Sequence, residues 1–600
     1  MQSLFIINAN FLRIGLLILI AGLPLQAALS VSLKPSIASP APLGTVVHWS
    51  ASVPDAGTRP LWYRFRSRPL NSSFSTIVDY GPNDSLDWTH MDLEGVYQVE
   101  VSVQDKNTGE TATATANFEL QSRLTDATTP AISTTNHPLV FLYSAPGCAS
   151  GGRMRVQFTS PEGTAQFTPY LACHARSMNF YLAGMRPETQ YTVQHTLDTG
   201  SAFLQGPMLT ISTPAISLAA PQFQVFQPPP ADTPEPILLQ CALYFPLMAT
   251  DLSGNVLWYY TGQLSTATRA VAGGYFMGLY EYAETDSAHQ YFRKFDLAGI
   301  TQAETNAARV SEQLVALGKR PINAFHHEAR AIAGGKYLVL ADNEQILTDV
   351  QGPGAVDVIG DEILVLDENL QVEWAWDAFD HLDASRAAVL GEVCPSGAGC
   401  APFYQSATAT DWLHGNSVQL TPDGQILYSA RHQDWLIKIN YDSGLGDGQI
   451  LWRLGKDGDF QIVSSDPSPW FSHQHDGNLA VSGQTSSVTV FDDGNTRRFS
   501  NPNANSRGQL LRLDEENLTA TLILNADLGQ YSFALGAAER LLDGGFHYDA
   551  GWITSDPLGG SNASRSIEVG RSGQIVYGAA ISTPEYRTYR MANLYTSSDR

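Results

Sequence analysis

One short pattern recurs through the C-terminal two-thirds of the chain: a glycine turn flanked by hydrophobic strands. It occurs six times, at Ala272–Met277, Ala333–Leu340, Pro422–Tyr428, Val481–Gly483, Leu542–Phe546 and Arg571–Tyr577. A second pattern places a tryptophan at the end of a strand, at Trp258, Trp374 and Trp452. The spacing of about 60 residues exceeds that of short propeller repeats and leaves room for long loops. We therefore predict an all-β chain in which residues 237–600 form a six-bladed β-propeller.

Strand patterns also dominate the N-terminal part of the chain. Residues alternate between hydrophobic and polar over Gly44–Ser52 and again over Gly95–Val103, which predicts one small β-sandwich over residues 29–122. Helical periodicity is confined to Ala303–Leu317, where we expect a single surface helix.

A second small sandwich is expected over residues 123–218. The segment Leu182–Tyr191 is similar to the tyrosine corner of fibronectin type III domains, in which the tyrosine hydroxyl bonds to the backbone a few residues upstream. The proline-rich residues 219–236 then predict an extended linker into the repeat region.

Residues 1–28 have the layout of a secretory signal peptide. Arg13 precedes the apolar run Ile14–Gly22, and small residues follow at Ala27 and Ala28. The run is shorter than the roughly 20 residues that span a bilayer, although a retained N-terminal anchor is the alternative. No later stretch reaches that length, so we expect a periplasmic or secreted protein with no membrane span after signal removal.

Five cysteines fit an oxidising compartment. Cys394 and Cys400 bracket a flexible loop that can close into a small disulfide ring, and Cys148 and Cys173 form a plausible second pair. Cys241 is then left over and is expected to be buried.

The charge balance excludes one class of partner. The net charge is −24, with only 35 Lys and Arg, which argues against nucleic acid or an anionic membrane as the main partner. An anionic small substrate is compatible with this balance if its site carries local hydrogen-bond donors.

Three histidine-containing segments stand at matching positions in the repeat. Phe325–Glu328, Leu413–Ser417 and His473–Asp476 each precede a glycine turn by some eight to eleven residues. Residues at one offset in successive blades meet at the central channel, so these histidines are predicted to converge at one mouth of it. Arg431 is expected on the strand after His414.

These segments resemble the bacterial aryl-sulfotransferase family, the PAPS-independent arylsulfate sulfotransferases. The resemblance covers roughly 240–600 and is most specific over 411–495. The elements that carry it are His414–Val418 for HGNSV, Ser429–His432 with Ile437–Ile439 for S-R-H…IKI, Arg453–Gly455 with His473–Asp476 and Phe491–Gly494 for LG…QHD…FDNG, and His326-His327 for the first HH. Two departures stand out, because the preceding sandwiches are long for the family and Asp492-Asp493-Gly494 stands where it has Asp-Asn-Gly.

The resemblance implies sulfuryl transfer from a phenolic sulfate ester to a phenolic acceptor, by a ping-pong mechanism through a sulfohistidine. A neutral imidazole is a good nucleophile toward sulfur, and His475 holds the family's QHD position. His414 is the first choice for the acid that protonates the leaving phenolate, with His327 or His326 beside it. Which of these two faces the channel stays open.

Charge on the sulfuryl oxygens needs fixed donors. Arg431 offers a planar fork suited to an oxyanion, and the Asn416 amide is expected to add another donor. The mechanism requires no metal, nucleotide or other cofactor.

Two other functions fit parts of the sequence. In a metal-dependent hydrolase or lyase, His473 with His475, or His326-His327-Glu328, would supply the ligands. A non-catalytic extracellular binding propeller would explain the sandwiches and the acidity, but it leaves the converging histidines, Arg431 and Asn416 without a role.

Overall fold

A computed structural model describes residues 28–598 apart from 55, 127, 282–285, 396–399 and 484. The predicted all-β class is confirmed, since this part of the chain contains 45 strands and three short α-helices. The predicted signal peptide lies outside the described residues except for Ala28. Within the described ranges, no helix is long and apolar enough to cross a membrane.

Two facing sheets form the first N-terminal unit, in the orders β1-β3-β6 and β2-β8-β7-β4-β5. Alternation along β3 and β7 buries one face of each sheet, with Trp49, Trp88 and Phe118 in edge-to-face contact between them. The strands are β1 (Ser32–Pro35), β2 (Ala41–Pro42), β3 (Val47–Ser52), β4 (Leu61–Pro69), β5 (Ser75–Gly81), β6 (Ser85–Trp88), β7 (Gly95–Asp105) and β8 (Thr111–Gln121).

The second N-terminal unit pairs β14-β10-β9 with a sheet built on β12-β11-β15-β16, to which β13 and β17 attach. The Arg186 backbone N–H donates to the Tyr191 hydroxyl at 2.9 Å, which is the backbone contact predicted for this tyrosine. The strands are β9 (Ala131–Thr134), β10 (Phe141–Ala145), β11 (Arg153–Thr159), β12 (Ala165–Phe167), β13 (Leu171–Ala172), β14 (Met178–Leu182), β15 (Gln190–Asp198), β16 (Phe203–Gln205) and β17 (Leu209–Ser212).

Part of the proline-rich connector is itself a strand, β18 (Phe223–Gln227). From residue 237 onward, four-stranded antiparallel meanders follow one another. The first contains β19 (Ile237–Ala242), β20 (Met248–Asp251) and β21 (Val256–Tyr259). The second contains β22 (Thr266–Val271), β23 (Tyr275–Tyr280), β24 (Tyr291–Asp296) and β25 (Thr301–Asn306). The third follows α1 (Ala307–Ala316) and contains β26 (Ala324–Ile332), β27 (Lys336–Thr348), β28 (Ala355–Leu366) and β29 (Val372–Asp377).

The remaining meanders follow α2 (Ala378–His381) and two edge strands, β30 (Val393–Pro395) and β31 (Thr408–Asp411). The fourth contains β32 (Gly415–Leu420), β33 (Ile426–Ala430), β34 (Trp435–Ile439) and β35 (Ile450–Gly455). The fifth follows the edge strand β36 (Gln461–Val463) and contains β37 (His475–Ser482), β38 (Thr485–Asp492), β39 (Arg507–Asp514) and β40 (Thr519–Asp527), with α3 (Asn495–Ser500) after β38. The sixth contains β41 (Gly536–Arg540), β42 (Phe546–Asp556), β43 (Gly560–Val569) and β44 (Ile575–Ile581). The last strand is β45 (Glu585–Met591).

One end strand of each sheet contacts the end strand of the next. The contacts run from β22 to β26, β32, β37 and β41, and β45 contacts both β41 and β22. Because β45 pairs with β19, from Ile237 opposite Met591 to Ala242 opposite Glu585, the C-terminus completes the first sheet. These six strands therefore form a closed ring, and we call them the inner strands.

The predicted helix is shorter than expected. α1 begins at Ala307 because Thr301–Asn306 pairs with β24, and the Asn306 side chain then caps the helix by accepting from the Arg309 N–H at 2.9 Å. It is also less exposed than predicted, since Val310 and Leu314 are buried.

The first N-terminal unit is joined edge to edge to the second meander. β5 pairs in parallel with β25, at Val78 opposite Glu304, which makes one nine-stranded sheet. Arg309 in α1 adds an ion pair to the buried Asp79 at 3.1 Å.

Both predicted disulfides are confirmed. Cys148 is bonded to Cys173 and Cys394 to Cys400, while Cys241 is buried outside either bond.

The contact between Tyr595 and the second N-terminal unit is a test of this packing. The buried Tyr595 hydroxyl donates to the Tyr181 carbonyl at 2.7 Å and accepts from the Ala183 N–H at 3.0 Å. Tyr595→Phe leaves both backbone groups unsatisfied, so we expect the free energy of unfolding to fall by about 1–3 kcal/mol. Urea denaturation measures it. Tyr291→Phe removes only an exposed 3.4 Å contact and is the matched control; equal stability of the two variants would contradict the prediction.

Candidate active site

The inner strands bring the predicted histidines together. His326 and His327 lie in β26, His414 immediately precedes β32, and His475 begins β37. Three of them, His326, His327 and His414, form a continuous row with the rings of His432 and His473. The centroid separations are 5.0 Å for His326–His327, 4.8 Å for His327–His414, 4.6 Å for His414–His432 and 5.6 Å for His432–His473.

Left-handed backbone recurs where these strands begin. The φ angles are 58° at His327, 50° at His414, 52° at His473 and 50° at Asp476. L-residues adopt this region rarely, and it costs on the order of 1–3 kcal/mol per residue unless the surroundings enforce it. Strain repeated on three neighbouring inner strands is typical of a functional site.

Contacts at His475 fix its tautomer. The Leu535 backbone N–H donates to Nε2 at 3.2 Å, so Nε2 carries a lone pair and the ring proton is on Nδ1. Nδ1 lies 2.7 Å from Oδ2 of the buried Asp493, to which it donates. The geometry therefore leaves Nε2 as the nucleophilic atom.

Electrostatics keeps the His475 ring neutral. Burial lowers its pKa well below the ordinary value, and the charge of Arg431 and the nearby His414 act in the same direction. A neutral imidazole is the form that can attack an electrophile.

Of this pair, His327 is the more accessible ring and His326 lies behind it. The His326 side chain is 1% exposed and lies 3.3 Å from Asp361, whereas His327 is half-buried and contacts the rings of His414 and Tyr586. The Nδ1 atoms of His326 and His327 are 2.8 Å apart, so one donates to the other. The structure thus answers which of the pair faces the site.

The charge states of this pair are opposite. Burial by itself lowers the pKa of His326, but the hydrogen bond and charge of Asp361, with the charge of Asp342, outweigh it and raise the pKa to about 9. Burial, followed by His414 and His326, lowers the pKa of His327 well below its ordinary value. A protonated His326 donates to Nδ1 of His327, which places the His327 proton on Nε2.

His414 is held by a carboxylate. Its Nδ1 is 2.6 Å from Oδ2 of Asp411, and its ring stacks on His432 at an interplanar angle of 23°. Asp411 is buried, which favours its neutral form, but the charges of His414 and His432 outweigh this and lower its pKa. With Nδ1 engaged, Nε2 of His414 is the atom that can exchange a proton.

Arg431 does not lie on a strand as expected. β33 ends at Ala430, and Arg431–Gln433 form a single 3₁₀ turn because Asp434 then takes a left-handed conformation (φ 55°). The guanidinium donates to His432 Nε2 at 2.7 Å and to the Phe533 carbonyl at 3.0 Å. Its Nε–H is buried without a hydrogen-bond partner among the described residues.

The Asn416 amide is already engaged. Its Nδ2 donates to the Gln474 carbonyl at 2.7 Å, and the residue is fully buried. This bond ties β32 to the residue that precedes His475.

The metal-ligand sets expected for the alternative function are not assembled. The Glu328 carboxylate is ion-paired with Arg269 and Arg587, both at 2.8 Å, rather than with His326 or His327. His473 contacts Glu392 at 2.5 Å and Asp434 at 2.9 Å. Three other groups of ligand-type atoms do converge within 4.8 Å among the described residues. They are Asp411 with His414 and His432, Glu392 with His432 and His473, and Asp411 with Cys394 and Cys400, whose sulfurs are committed to a disulfide.

Several site residues are absent from the sequence-based prediction. Two of them could have been found in the sequence. Asp411 stands three residues before His414, and Asp493 is the changed residue of the Asp-Asp-Gly element. Leu535 and Tyr586 had no such signal. Leu535 contributes a backbone N–H, and the Tyr586 hydroxyl donates to the His327 carbonyl at 2.6 Å, from 259 positions away.

Comparison with known proteins gives one family match. The family model described as Arylsulfotransferase (ASST) matches residues 244–590. No curated protein sequence matches. Solved structures similar to part of the chain include the chicken interferon gamma receptor alpha chain, a two-domain fibronectin type III segment of chicken tenascin, and domains FN1–FN3 of chicken CNTN1.

These structural likenesses are distant. The identities are 13%, 13% and 12%, the TM-scores 0.13, 0.14 and 0.13, and each covers 30% of this chain. The shares of the three matched chains are 100%, 98% and 66%. Such TM-scores support no argument about fold.

The charge of His326 predicts a pH dependence of stability. Since folding raises its pKa from about 6.5 to about 9, its contribution is fully present below pH ~6.5 and is lost as the pH rises through ~9. Urea denaturation at pH 6.5 and pH 9.5 should therefore show a smaller fall in stability for His326→Gln than for wild type. An equal fall in the two proteins would contradict this assignment.

Proposed function

Because the chain belongs to the arylsulfotransferase (ASST) family, we propose that it is a PAPS-independent aryl sulfotransferase. It would move a sulfuryl group from a phenolic sulfate ester to a phenolic acceptor through a sulfohistidine on His475. The observation that carries the proposal is a buried, neutral imidazole whose Nε2 lone pair is fixed by Asp493 and Leu535.

We further infer that the six meanders are the blades of a six-bladed propeller over residues 237–600. The closed ring of inner strands supports this inference. Residues 29–122 and 123–218 are then two β-sandwiches, and 219–236 is the linker, which contributes β18 as an added strand beside β44. The disulfides suit export to the periplasm or outside the cell, as does the N-terminal sequence.

In the first step, Nε2 of His475 attacks the donor sulfur. An S–N bond forms, the S–O bond to the aryl group breaks, and its electron pair leaves on the phenolate. The imidazole ring gains positive charge, which the Asp493 carboxylate beside Nδ1 balances. Burial raises the pKa of Asp493, but the positive charges of Arg431 and of the sulfoimidazolium favour its ionised form. Nε2 of His414, the atom turned away from Asp411, gives the leaving phenolate its proton.

The second step reverses these transfers. The acceptor phenol attacks sulfur and gives its proton to His414. The S–N bond breaks and its electron pair returns to Nε2 of His475. Every proton and electron pair is thereby restored, so the cycle needs no cofactor.

Donors for the sulfuryl oxygens come from three groups. His327 offers Nε2–H, Arg431 offers its unpartnered Nε–H with a full positive charge, and Leu535 offers the N–H that now bonds to His475. Such preorganised donors stabilise charge more strongly where water is excluded. We assign Asn416 a positioning role instead, because its amide holds the Gln474 carbonyl.

A metal-dependent hydrolase is the second candidate, since two ligand-type groups converge at His432. The Arg431 guanidinium donates to Nε2 of His432 at 2.7 Å. This fixed positive charge adjoins both groups and disfavours a cation there.

Release of 4-nitrophenol from 4-nitrophenyl sulfate tests the proposal. We expect added phenol to accelerate release in wild type, and His475→Ala to reduce it by at least about 10³-fold because the nucleophile is gone. Without acceptor, intact-mass spectrometry should detect a sulfuryl adduct on wild type only. His289→Ala, which alters an exposed histidine, is the control. Release that ignores phenol but is abolished by a zinc-selective chelator would instead indicate the metal enzyme.

The family departure at Asp493 gives a second test. Asp493→Asn restores the Asp-Asn-Gly element and keeps an acceptor for Nδ1–H, but it removes the charge that balances the sulfoimidazolium. We expect kcat to fall by about 10–100-fold with little change in donor KM. Asp493→Ala should lose more, because the ring is then also free to rotate. Full kcat in Asp493→Asn would show that the residue only orients His475.

A further inference from the structure

Two fully buried carboxylates lie between the last sheet and the closing strand. Asp549 is in β42 and Glu585 begins β45, and both are 0% exposed. All four of their oxygens lie outside hydrogen-bond geometry with the described residues, although Thr588 lies against Asp549. Neither carboxylate forms an ion pair with a described lysine or arginine. The sulfuryl-transfer mechanism uses neither residue.

Unpartnered hydroxyls face Asp549. Ser566 in β43 is its direct cross-strand partner, and Ser564 lies two residues further along on the same face. Both serines are 0% exposed, and both hydroxyl oxygens lack a hydrogen-bond partner among the described residues. Buried polar groups are almost always satisfied, so several orphaned oxygens on one face indicate a missing ligand.

The closing strand supplies the other wall. Thr588 in β45 lies against Asp549, and its hydroxyl is 2.9 Å from Nε2 of the buried His547. Nδ1 of His547 also has no partner among the described residues. The unsatisfied atoms thus come from both sides of the seam between β42–β43 and β45.

Burial disfavours the charged forms of this pair. It raises the pKa of Asp549 well above its ordinary range, although the Thr588 hydroxyl and N–H favour the charged form. Burial, and then the charge of Asp549, raises the pKa of Glu585 in the same way. A cation bound between the two carboxylates would offset these effects.

We propose that Asp549 and Glu585, with the hydroxyls of Ser566 and Ser564, bind a divalent cation of calcium's chemistry. Carboxylate and hydroxyl oxygens are the ligands that a hard cation takes, and calcium accepts irregular sets of them. Zinc is disfavoured because the site offers one imidazole and no thiolate.

The cation acts at the seam that closes the ring. Its ligands come from the sixth sheet and from β45, the strand that completes the first sheet. Glu585 is followed directly by Tyr586, whose hydroxyl holds the His327 carbonyl. A ligand that binds only the folded chain stabilises it by mass action, so the cation should strengthen this closure.

Metal content and melting temperature test the site. The purified full chain, dialysed against metal-free buffer without a chelator, should contain about one calcium per molecule by plasma mass spectrometry. EDTA should lower its Tm by several degrees, and excess calcium should restore it. The double variant Asp549→Asn/Glu585→Gln should contain no calcium, and its Tm should not respond to EDTA. Ser566→Ala keeps both carboxylates and should weaken the calcium Kd by about tenfold.

Glu539→Gln is the matched control. This carboxylate is also buried and lies in the same sheet as Asp549, but it accepts the Arg590 N–H at 2.8 Å, so the variant should retain calcium. If the double variant does not fold, the wild-type Tm response and Ser566→Ala decide the question. The proposal would be overturned if the purified wild type contained no metal and had the same Tm in calcium and in EDTA. That result would show that the carboxylates hold protons. Stoichiometric zinc instead of calcium would overturn the assigned cation class.

Discussion

The pairing of β45 with β19 is the constraint on which the rest of the structure depends. It joins Met591 to Ile237 and so makes the C-terminus part of the first sheet. Only when the ring is closed do β26, β32 and β37 hold their places around a common centre. The row of imidazoles is a consequence, because His326, His327, His414 and His473 are attached near the beginning of an inner strand.

Burial then determines the chemistry of the site. Desolvation keeps His475 and His327 neutral, while Asp361 keeps His326 charged against the same effect. Nδ1 is engaged by a carboxylate in His475 and His414, and by His326 in His327, so Nε2 of each of these three rings has a defined role. Neighbouring histidines with pKa values displaced in opposite directions are what acid–base and nucleophilic roles within one site require.

The N-terminal units are structurally continuous with the repeat region. β5 extends the second meander, β18 extends the sixth, and Tyr595 bonds back to the second N-terminal unit. Ladder hydrogen bonds and buried polar contacts of this kind restrict the relative motion of the units. The N-terminal units therefore add contacts on the outer side of the ring, while β45 closes the ring itself.

The sequence by itself determined the all-β class, the tyrosine corner and the family, because each follows from local alternation or a short motif. It offered both disulfide pairings, which the tertiary structure confirmed. It also selected the histidines, since matching offsets in a repeat place residues at equivalent positions. Only the tertiary structure decided that His326 lies behind His327, that Arg431 lies in a turn, and that Asn416 holds a backbone carbonyl. The tertiary structure also showed that Asp493 and Leu535 contact His475. It brought the buried Asp549 close enough to Glu585 for their charges to interact. The reason is physical: strand periodicity depends on adjacent residues, whereas tautomers, charge states and orphaned polar atoms depend on groups that only ring closure brings into contact and removes from water.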